Sequence, residues 1–223
     1  MGCLLKPGGG LYPRLRIGAV LLAAGEGARM GGVAKALIRL QGVPLIRRHL
    51  VALSGAGVDE VVVVTGHAHE AVQAQIAGFP VTLAHNADYA QGQQSSVRVG
   101  LTALSGPFDL VLICLVDQPL IGAEDLTELI GAFKKRTGGN ILQPMVDGQR
   151  GNPVLIDDQA RALVMASEAH LGCRHLMDRQ PELVYAYASA NRRFVTDLDT
   201  EQDLHAMAER TGWQMELPEA AAA

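Results

Sequence analysis

The amino-acid sequence predicts an α/β protein with a doubly wound, mostly parallel sheet. Three observations carry that prediction. Short apolar runs alternate with segments of helical periodicity along the chain. Runs such as IGAVLLA, EVVVVT and DLVLICLV are apolar without alternation, as strands covered on both faces are. No internal repeat and no long linker interrupts the pattern. Residues 17–216 therefore read as one domain, between a Gly- and Pro-rich leader, 1–16, and a short tail, 217–223, both expected to be poorly ordered.

The elements follow in order. Residues 17–23 form the first buried strand and run into a loop of small residues. Pro44 opens a helix, because the N–H it lacks would be unbonded there anyway; Gly55 and Gly57 stop it after about Ser54. A second buried strand, 60–65, is followed by a helix over 69–77 and a third strand over 81–85. A helix over 94–104 leads to the fourth strand, 109–116, expected to be central because it is apolar on both faces. The helix over 124–136 has acids at its start and Lys134, Lys135 and Arg136 at its end, which suits the helix dipole. Strands are expected at 141–146, 153–156 and 183–188. The last helix runs from near Thr200 to about Arg210, and Thr200 with Asp203 resembles a capping box with Asp in place of the usual Glu or Gln.

Composition narrows the class. The chain has 223 residues, 48% hydrophobic but only 4% aromatic, so Ala, Val, Ile and Leu must build the core. The 19 basic and 23 acidic residues leave a net charge of −4, with no basic excess to suggest nucleic acid as a partner. No apolar stretch approaches the roughly 18 residues of a membrane span, so no membrane partner is expected. Three widely spaced cysteines make no disulfide framework, and a reduced, cytoplasmic setting is the expectation. Cys114 and Cys173 read as packing residues. His67 and His69 read as polar loop histidines lacking a third metal ligand, Arg47 and Arg48 as a solvated helix face, and Trp213 as packing for the last helix.

The first loop is the most informative stretch. After the strand come Ala24-Gly25-Glu26-Gly27-Ala28, then Arg29, Met30, Gly31, Gly32 and Lys35. Glycines allow close backbone approach, and successive N–H groups in such a loop make an anion-binding concavity. Arg29 offers a planar fork and Lys35 a movable point charge, a combination suited to a polyphosphate. Gly25, Gly27 and Gly31 also read as a relative of the dinucleotide fingerprint. That fingerprint expects an acid ending the second strand; here the strand ends in Thr65-Gly66-His67, so a nicotinamide- or flavin-dependent oxidoreductase is the weaker alternative.

Two acidic positions could hold a hard divalent cation. Asp117 follows directly on the fourth strand, where open α/β sheets bind ligands; a turn or helix-capping Asp is the competing explanation. Asp197 and Asp199 alternate on an extended segment before the last helix, so both side chains face one way, and one of them could complete a site with Asp117.

The ordered set LAAGEGARMGGVAK, GQQSSVRVGL, VDQP, RGNPVLI and VTDLDTEQDL resembles the MobA-like NTP transferases, and among them most the molybdenum cofactor cytidylyltransferase branch. The resemblance spans nearly all of residues 17–210. It implies a Rossmann-like three-layer α/β/α sandwich with a mostly parallel mixed sheet, of the nucleotide-diphospho-sugar transferase type. It implies a Mg²⁺-dependent enzyme that moves CMP from CTP to a phosphorylated acceptor such as molybdopterin. Leu22, Ala23, Ala24, Gly25, Glu26, Gly27, Arg29 and Lys35 match the triphosphate loop, and Gly92 and Ser96 the base pocket. Asp117 and Asp199 match the metal ligands, with Arg29, Lys35 and Asp117 as the catalytic set. Gln118, Arg150, Gly151, Asn152, Pro153 and Arg174 match the acceptor side.

Ala24 favours CTP, because guanylyl-transferring relatives typically read L-A-G-G where this chain reads L-A-A-G. Two departures bear on the acceptor. Ala169-His170 stands where that branch usually carries Gly-Asp. The loop from Met30 to Lys35 is one residue longer, resembling the guanylyl branch in length, so guanylyl or other nucleotidyl transfer to a different phosphorylated acceptor is the alternative within the family. The resemblance also implies a molybdenum enzyme or its accessory protein as a further partner. A catalytically silent nucleotide-binding accessory protein is the third reading.

Overall fold

The computed structural model describes residues 14–167 and 172–218. In chain order its strands and α-helices are β1 (Ile17–Ala23), β2 (Arg39–Leu40), β3 (Val43–Pro44), α1 (Leu45–Gly55), β4 (Glu60–Thr65), α2 (His69–Ile76), β5 (Thr82–His85), α3 (Gln93–Ala103), β6 (Leu110–Leu115), α4 (Ala123–Lys135), β7 (Ile141–Val146), β8 (Gln149–Arg150), β9 (Val154–Ile156), α5 (Asp158–Ala166), α6 (Cys173–Arg179), β10 (Val184–Ala188), α7 (Glu201–Thr211) and β11 (Met215–Glu216).

The main sheet has eight strands in the order β10-β7-β9-β6-β1-β4-β5, with β8 paired to β7. β6, β1, β4 and β5 are mutually parallel, with Leu22 opposite Val64 on one side and Leu115 on the other. β9 runs antiparallel to both neighbours, β6 and β7, so the sheet is mixed. A small second sheet, β11-β2-β3, joins the chain after the glycine-rich loop to the segment after α7.

The main sheet separates two cores. On one face Ala19, Leu21, Val63, Leu112 and Cys114 pack with Leu50 and Leu53 of α1, Leu129 and Phe133 of α4, and Leu204 and Met207 of α7. On the other, Val20, Leu22, Val62, Val64 and Ile113 pack with Val97 and Leu101 of α3, Val164 of α5 and Met177 of α6. Helices on both faces of a buried, largely parallel sheet make the three-layer sandwich expected from the sequence, each fully buried aliphatic contributing about 1.5–3 kcal/mol. β6 lies inside the sheet between β1 and β9, as its two-sided apolarity requires.

Helix ends follow the sequence signals closely. Thr200 Oγ1 accepts from the Asp203 amide at 3.2 Å and Asp203 Oδ2 accepts from the Thr200 amide at 2.7 Å, the reciprocal capping box. α4 opens with Glu124 and Asp125 and closes with Lys134 and Lys135.

Some expectations are corrected. Residues 14–16, assigned to a poorly ordered leader, are tied down: Arg14 pairs with Asp59 at 2.7 Å, and the Arg16 amide donates to Asp109 at 2.7 Å. Residues 1–13 and 219–223 lie outside the described residues. Arg47 and Arg48 are not a freely solvated face. Arg47 Nε donates to the Gln75 carbonyl at 2.7 Å, and the Arg48 guanidinium lies 5.5 Å over the Trp213 ring. Burial lowers the pKa of Arg48. Cys114 and Cys173 are buried, and desolvation pushes their thiols up to about 12 and about 11, as packing residues require.

Candidate nucleotide site

A cavity of about 460 Å³ opens at the carboxyl ends of β1 and β6. Its walls come from the loop after β1, the turn before α3, the end of β6 and the segment before α7. This is where an open α/β sheet binds ligands.

The loop is shaped by its glycines. Gly27 takes φ +63°, and a Cβ there would fall 2.0 Å from the Val33 carbonyl oxygen, so only glycine fits. The Gly27 carbonyl accepts from the amides of Met30 at 2.7 Å and Gly32 at 3.1 Å, closing a tight turn. Met30, 2% exposed, anchors that turn in the core. Among the described residues the amides of Gly25, Glu26 and Gly27 donate to no other group, which leaves a row of N–H donors at the mouth of the cavity. Gly66 permits a second close approach: a Cβ there would lie 2.7 Å from both the Ala24 carbonyl oxygen and the Tyr89 Cβ.

Charge converges opposite the loop. Lys35 Nζ donates to Asp117 Oδ2 at 2.9 Å and to Asp199 Oδ1 at 2.7 Å, and Arg29 pairs with Asp199 Oδ2 at 3.0 Å. Burial opposes the Lys35 charge, but the two carboxylates outweigh it and hold its pKa above the usual lysine value. The hydrogen bond from Lys35, against partial burial, keeps the Asp199 carboxyl below the usual range. Two fixings place these acids: the Asp117 carbonyl accepts from the Leu198 amide at 2.9 Å, and Asp203 Oδ2 accepts from the Asp199 amide at 3.0 Å. Asp197 keeps a solvent-facing edge, yet crowding by protein and the nearby Asp117 push its carboxyl up to about 6.

The cavity wall brings together Leu22, Ala23, Ala24, Gly25, Glu26, Gly27, Arg29, Lys35, Gly92, Ser96, Asp117 and Asp199, all singled out in the sequence. The six acceptor-side residues stand apart from this wall. Gln118 is 1% exposed and its Nε2 donates to the Phe194 carbonyl at 3.0 Å, so its side chain is turned into the protein, contrary to an acceptor contact. The backbone of Gly151 and Asn152 is engaged with Pro144 and Phe194 at 2.8 Å each. Pro153 is buried behind them. Arg150 is exposed and paired with Asp178 of α6 at 2.6 Å, and Arg174 is exposed on the same helix. The Ala169-His170 departure lies outside the described residues.

Sequence reasoning missed Tyr89, Gln93 and Asn86. Tyr89 and Gln93 line the cavity, and Asn86 sits behind it. The Asn-Ala-Asp turn after β5 was the available signal, since such residues bond nearby backbone.

Among the described residues no three carboxylate, imidazole or thiol groups form a ready cluster for a metal. Asp117 and Asp199 still offer oxygens to a hard cation. Asp117 Oδ1 is buried and without a hydrogen-bond partner among the described residues, an orphaned acceptor of the kind a cation satisfies.

Comparison with known proteins adds to this geometry. The MobA-like NTP transferase domain matches residues 19–184. Nicotine blue oxidoreductase of Paenarthrobacter nicotinovorans is 28% identical over 191 residues, 83% of this chain and 93% of that protein. The bifunctional protein GlmU of Pelobacter propionicus is 36% identical over 152 residues, 66% of this chain; the chain spans only 33% of that relative's length. A nucleotidyl transferase from Methanothermobacter thermautotroptrophicus superposes with a TM-score of 0.72 at 24% identity, covering 87% of this chain and 97% of that one, which establishes likeness of fold.

Proposed function

The chain belongs to the MobA-like NTP transferase family, and from that premise we propose that this nucleotidyltransferase moves CMP from CTP to a phosphorylated acceptor, molybdopterin in the first instance, with release of pyrophosphate. The observation that carries the proposal is the meeting, in one cavity, of a row of unengaged loop amides, Arg29, Lys35, Asp117 and Asp199. A dinucleotide-binding fold does not need two carboxylates clasped around a lysine; phosphate transfer does need paired charge of both signs at one point.

In the proposed reaction an acceptor phosphate oxygen attacks the α-phosphorus of CTP in line. The new P–O bond forms as the bond to the bridging oxygen breaks, and that electron pair leaves with pyrophosphate. The acceptor oxygen is already ionised at neutral pH, so no general base is required. The Gly25–Gly27 amides, Arg29 and Lys35 hold the triphosphate and neutralise charge developing on the leaving group. Asp117 and Asp199 would hold Mg²⁺, which when bound supplies Lewis-acid stabilisation of the phosphoryl oxygens. Ala24, 5% exposed on the cavity wall, supports CTP over GTP through the L-A-A-G resemblance alone.

The test is pyrophosphate release with CTP, Mg²⁺ and a molybdopterin acceptor, comparing the natural protein with Asp117→Ala. The variant should keep its circular dichroism spectrum and lose turnover by about 10³-fold or more. Unchanged turnover removes the carboxylate pair from the mechanism.

A second reading is favoured by one finding, the oxidoreductase name carried by a relative matched over 93% of its length. Against it, the end of β4 offers Thr65, Gly66 and His67 and no acid for a ribose. Thermal shifts decide: stabilisation by CTP with Mg²⁺ but not by NADPH supports transfer, and the reverse pattern supports hydride chemistry.

A further inference from the structure

Asn86 follows directly on β5 and is 3% exposed, behind the cavity wall. Its amide orientation is dictated by its partners. The Asp88 N–H at 3.0 Å can be accepted only by Oδ1, which leaves Nδ2 to donate to Ser95 Oγ at 2.8 Å and Ser96 Oγ at 2.9 Å. Both serine oxygens are thereby acceptors, and each must send its own proton elsewhere. Ser95 has the Gly92 carbonyl at 2.8 Å and the Asp88 carbonyl at 3.2 Å. Ser96 has no such acceptor among the described residues, is 4% exposed, and lines the cavity. A buried hydroxyl that has accepted one hydrogen bond and not donated its own is a donor aimed at whatever fills the space in front of it.

We propose that Asn86 is a specificity-positioning residue: by donating to Ser96 it fixes that hydroxyl as a hydrogen-bond donor toward the nucleobase, selecting a base edge that presents an acceptor there, such as the O2/N3 edge of cytosine. The inference rests on the nucleotidyltransferase reading and deepens it. Asn86 touches no substrate and acts through Ser96. Ser95, in the first turn of α3 and bonded to the same amide, ties the pair to the preceding turn through the Gly92 and Asp88 carbonyls.

Asn86→Asp tests it with little change of shape. A carboxylate there can only accept, so the Ser96 proton turns back toward it and the cavity loses its donor. Binding of CTP, UTP, GTP and ATP, each with Mg²⁺, is measured calorimetrically for the natural protein, Asn86→Asp, Ser96→Ala and the double variant, with melting temperatures as the check on folding. The expected result is a five- to tenfold loss for CTP, roughly one hydrogen bond, with smaller losses for the other nucleotides. The double variant should be no worse than Ser96→Ala, because the two residues act in series. A uniform loss for all four nucleotides, additive losses in the double variant, or no loss would overturn the Asn86 assignment while leaving the nucleotide site standing. Absence of binding by any nucleotide to the natural protein would overturn the site itself. If Asn86→Asp does not fold, Asn86→Ser and the Ser96→Ala selectivity carry the same comparison.

Discussion

His49 gives the sharpest quantitative test of how the site's foundation is built. It lies in α1, 3% exposed, with its ring against the backbone of Val116 and Gln118, the residues flanking Asp117. Burial drives its pKa from 6.5 down to about 4, against the opposing pull of those carbonyls, and Nε2 has no hydrogen-bond partner among the described residues. A basic group with a depressed folded pKa binds fewer protons folded than unfolded, so stability falls as pH drops below the unfolded value and stops falling below the folded one. The window is pH 6.5 to about 4. Across all of it the loss is about 3 kcal/mol, and between pH 7 and pH 5 about 2 kcal/mol. Urea unfolding at pH 7 and pH 5 measures it, in the natural protein and in His49→Gln. Asp197, whose raised pKa stabilises the fold as pH falls, acts in the opposite direction in both proteins and cancels in the comparison. The pH-dependent loss should shrink by about 2 kcal/mol in the variant, whatever its stability at pH 7. Equal pH dependence in the two proteins would refute a buried, neutral His49 beneath the Asp117 turn.

Three further outcomes follow from the site. Lys35→Met should lower pyrophosphate release by about 10²–10³-fold; because Asp117 and Asp199 lose the cation between them, Mg²⁺ should raise the variant's melting temperature more than the natural protein's, and equal shifts would count against the shared carboxylate pair. Gly27→Ala places a Cβ on the Val33 carbonyl and forces a left-handed residue costing about 1–2 kcal/mol; nucleotide binding measured by calorimetry should weaken at least tenfold, and retained affinity would mean that the loop does not grip phosphate. Gln118→Met removes the donor to the Phe194 carbonyl and should cost about 1–2 kcal/mol in urea unfolding while leaving the acceptor KM unchanged; a raised acceptor KM at unaltered stability would restore Gln118 as a direct acceptor contact.

What the sequence disclosed depended on how much of each signal was local. β1, β4 and β6 are written as uninterrupted apolar runs, and the capping box of α7 is complete within four residues, so each was readable within a residue or two. α5 escaped notice, although Asp157 caps it by accepting from the Ala160 amide at 3.0 Å and only Ala160 and Val164 are buried. A helix of nine residues with two buried positions carries a weak period. The two-residue strands β2, β3 and β11 have no period at all; their pairing depends on residues 39–44 meeting 215–216. The same limit applies to the site. Gly27, Arg29 and Lys35 lie in one loop and could be read together. Asn86 could not, because its importance rests on two serines nine and ten residues away whose orientation is decided by helix α3.

The antiparallel strand β9 explains why this sheet can hold acids from distant parts of the chain at one point. Had β6, β7 and the strand after it all run parallel through helical crossovers, the segment before α7 would have no anchor beside Asp117. Instead the chain turns back after β7 through β8 and the 151–153 loop, and that loop gives the Phe194 carbonyl a donor, the Asn152 amide at 2.8 Å. The Gln118 side chain supplies a second donor to the same carbonyl. One carbonyl thus joins the turn after β6, the turn before β9 and the stretch that carries Asp199. The Leu198 amide, bonded to the Asp117 carbonyl, completes the joint from the other side. Two carboxylates would repel across so short a gap; backbone hydrogen bonds fix their main chains, and Lys35 between them turns the repulsion into two charge-assisted bonds at 2.9 and 2.7 Å. The site is therefore held by backbone joints that ignore charge and by a lysine that requires it, which is why a substitution at Lys35 should alter metal response while one at Gln118 should alter stability.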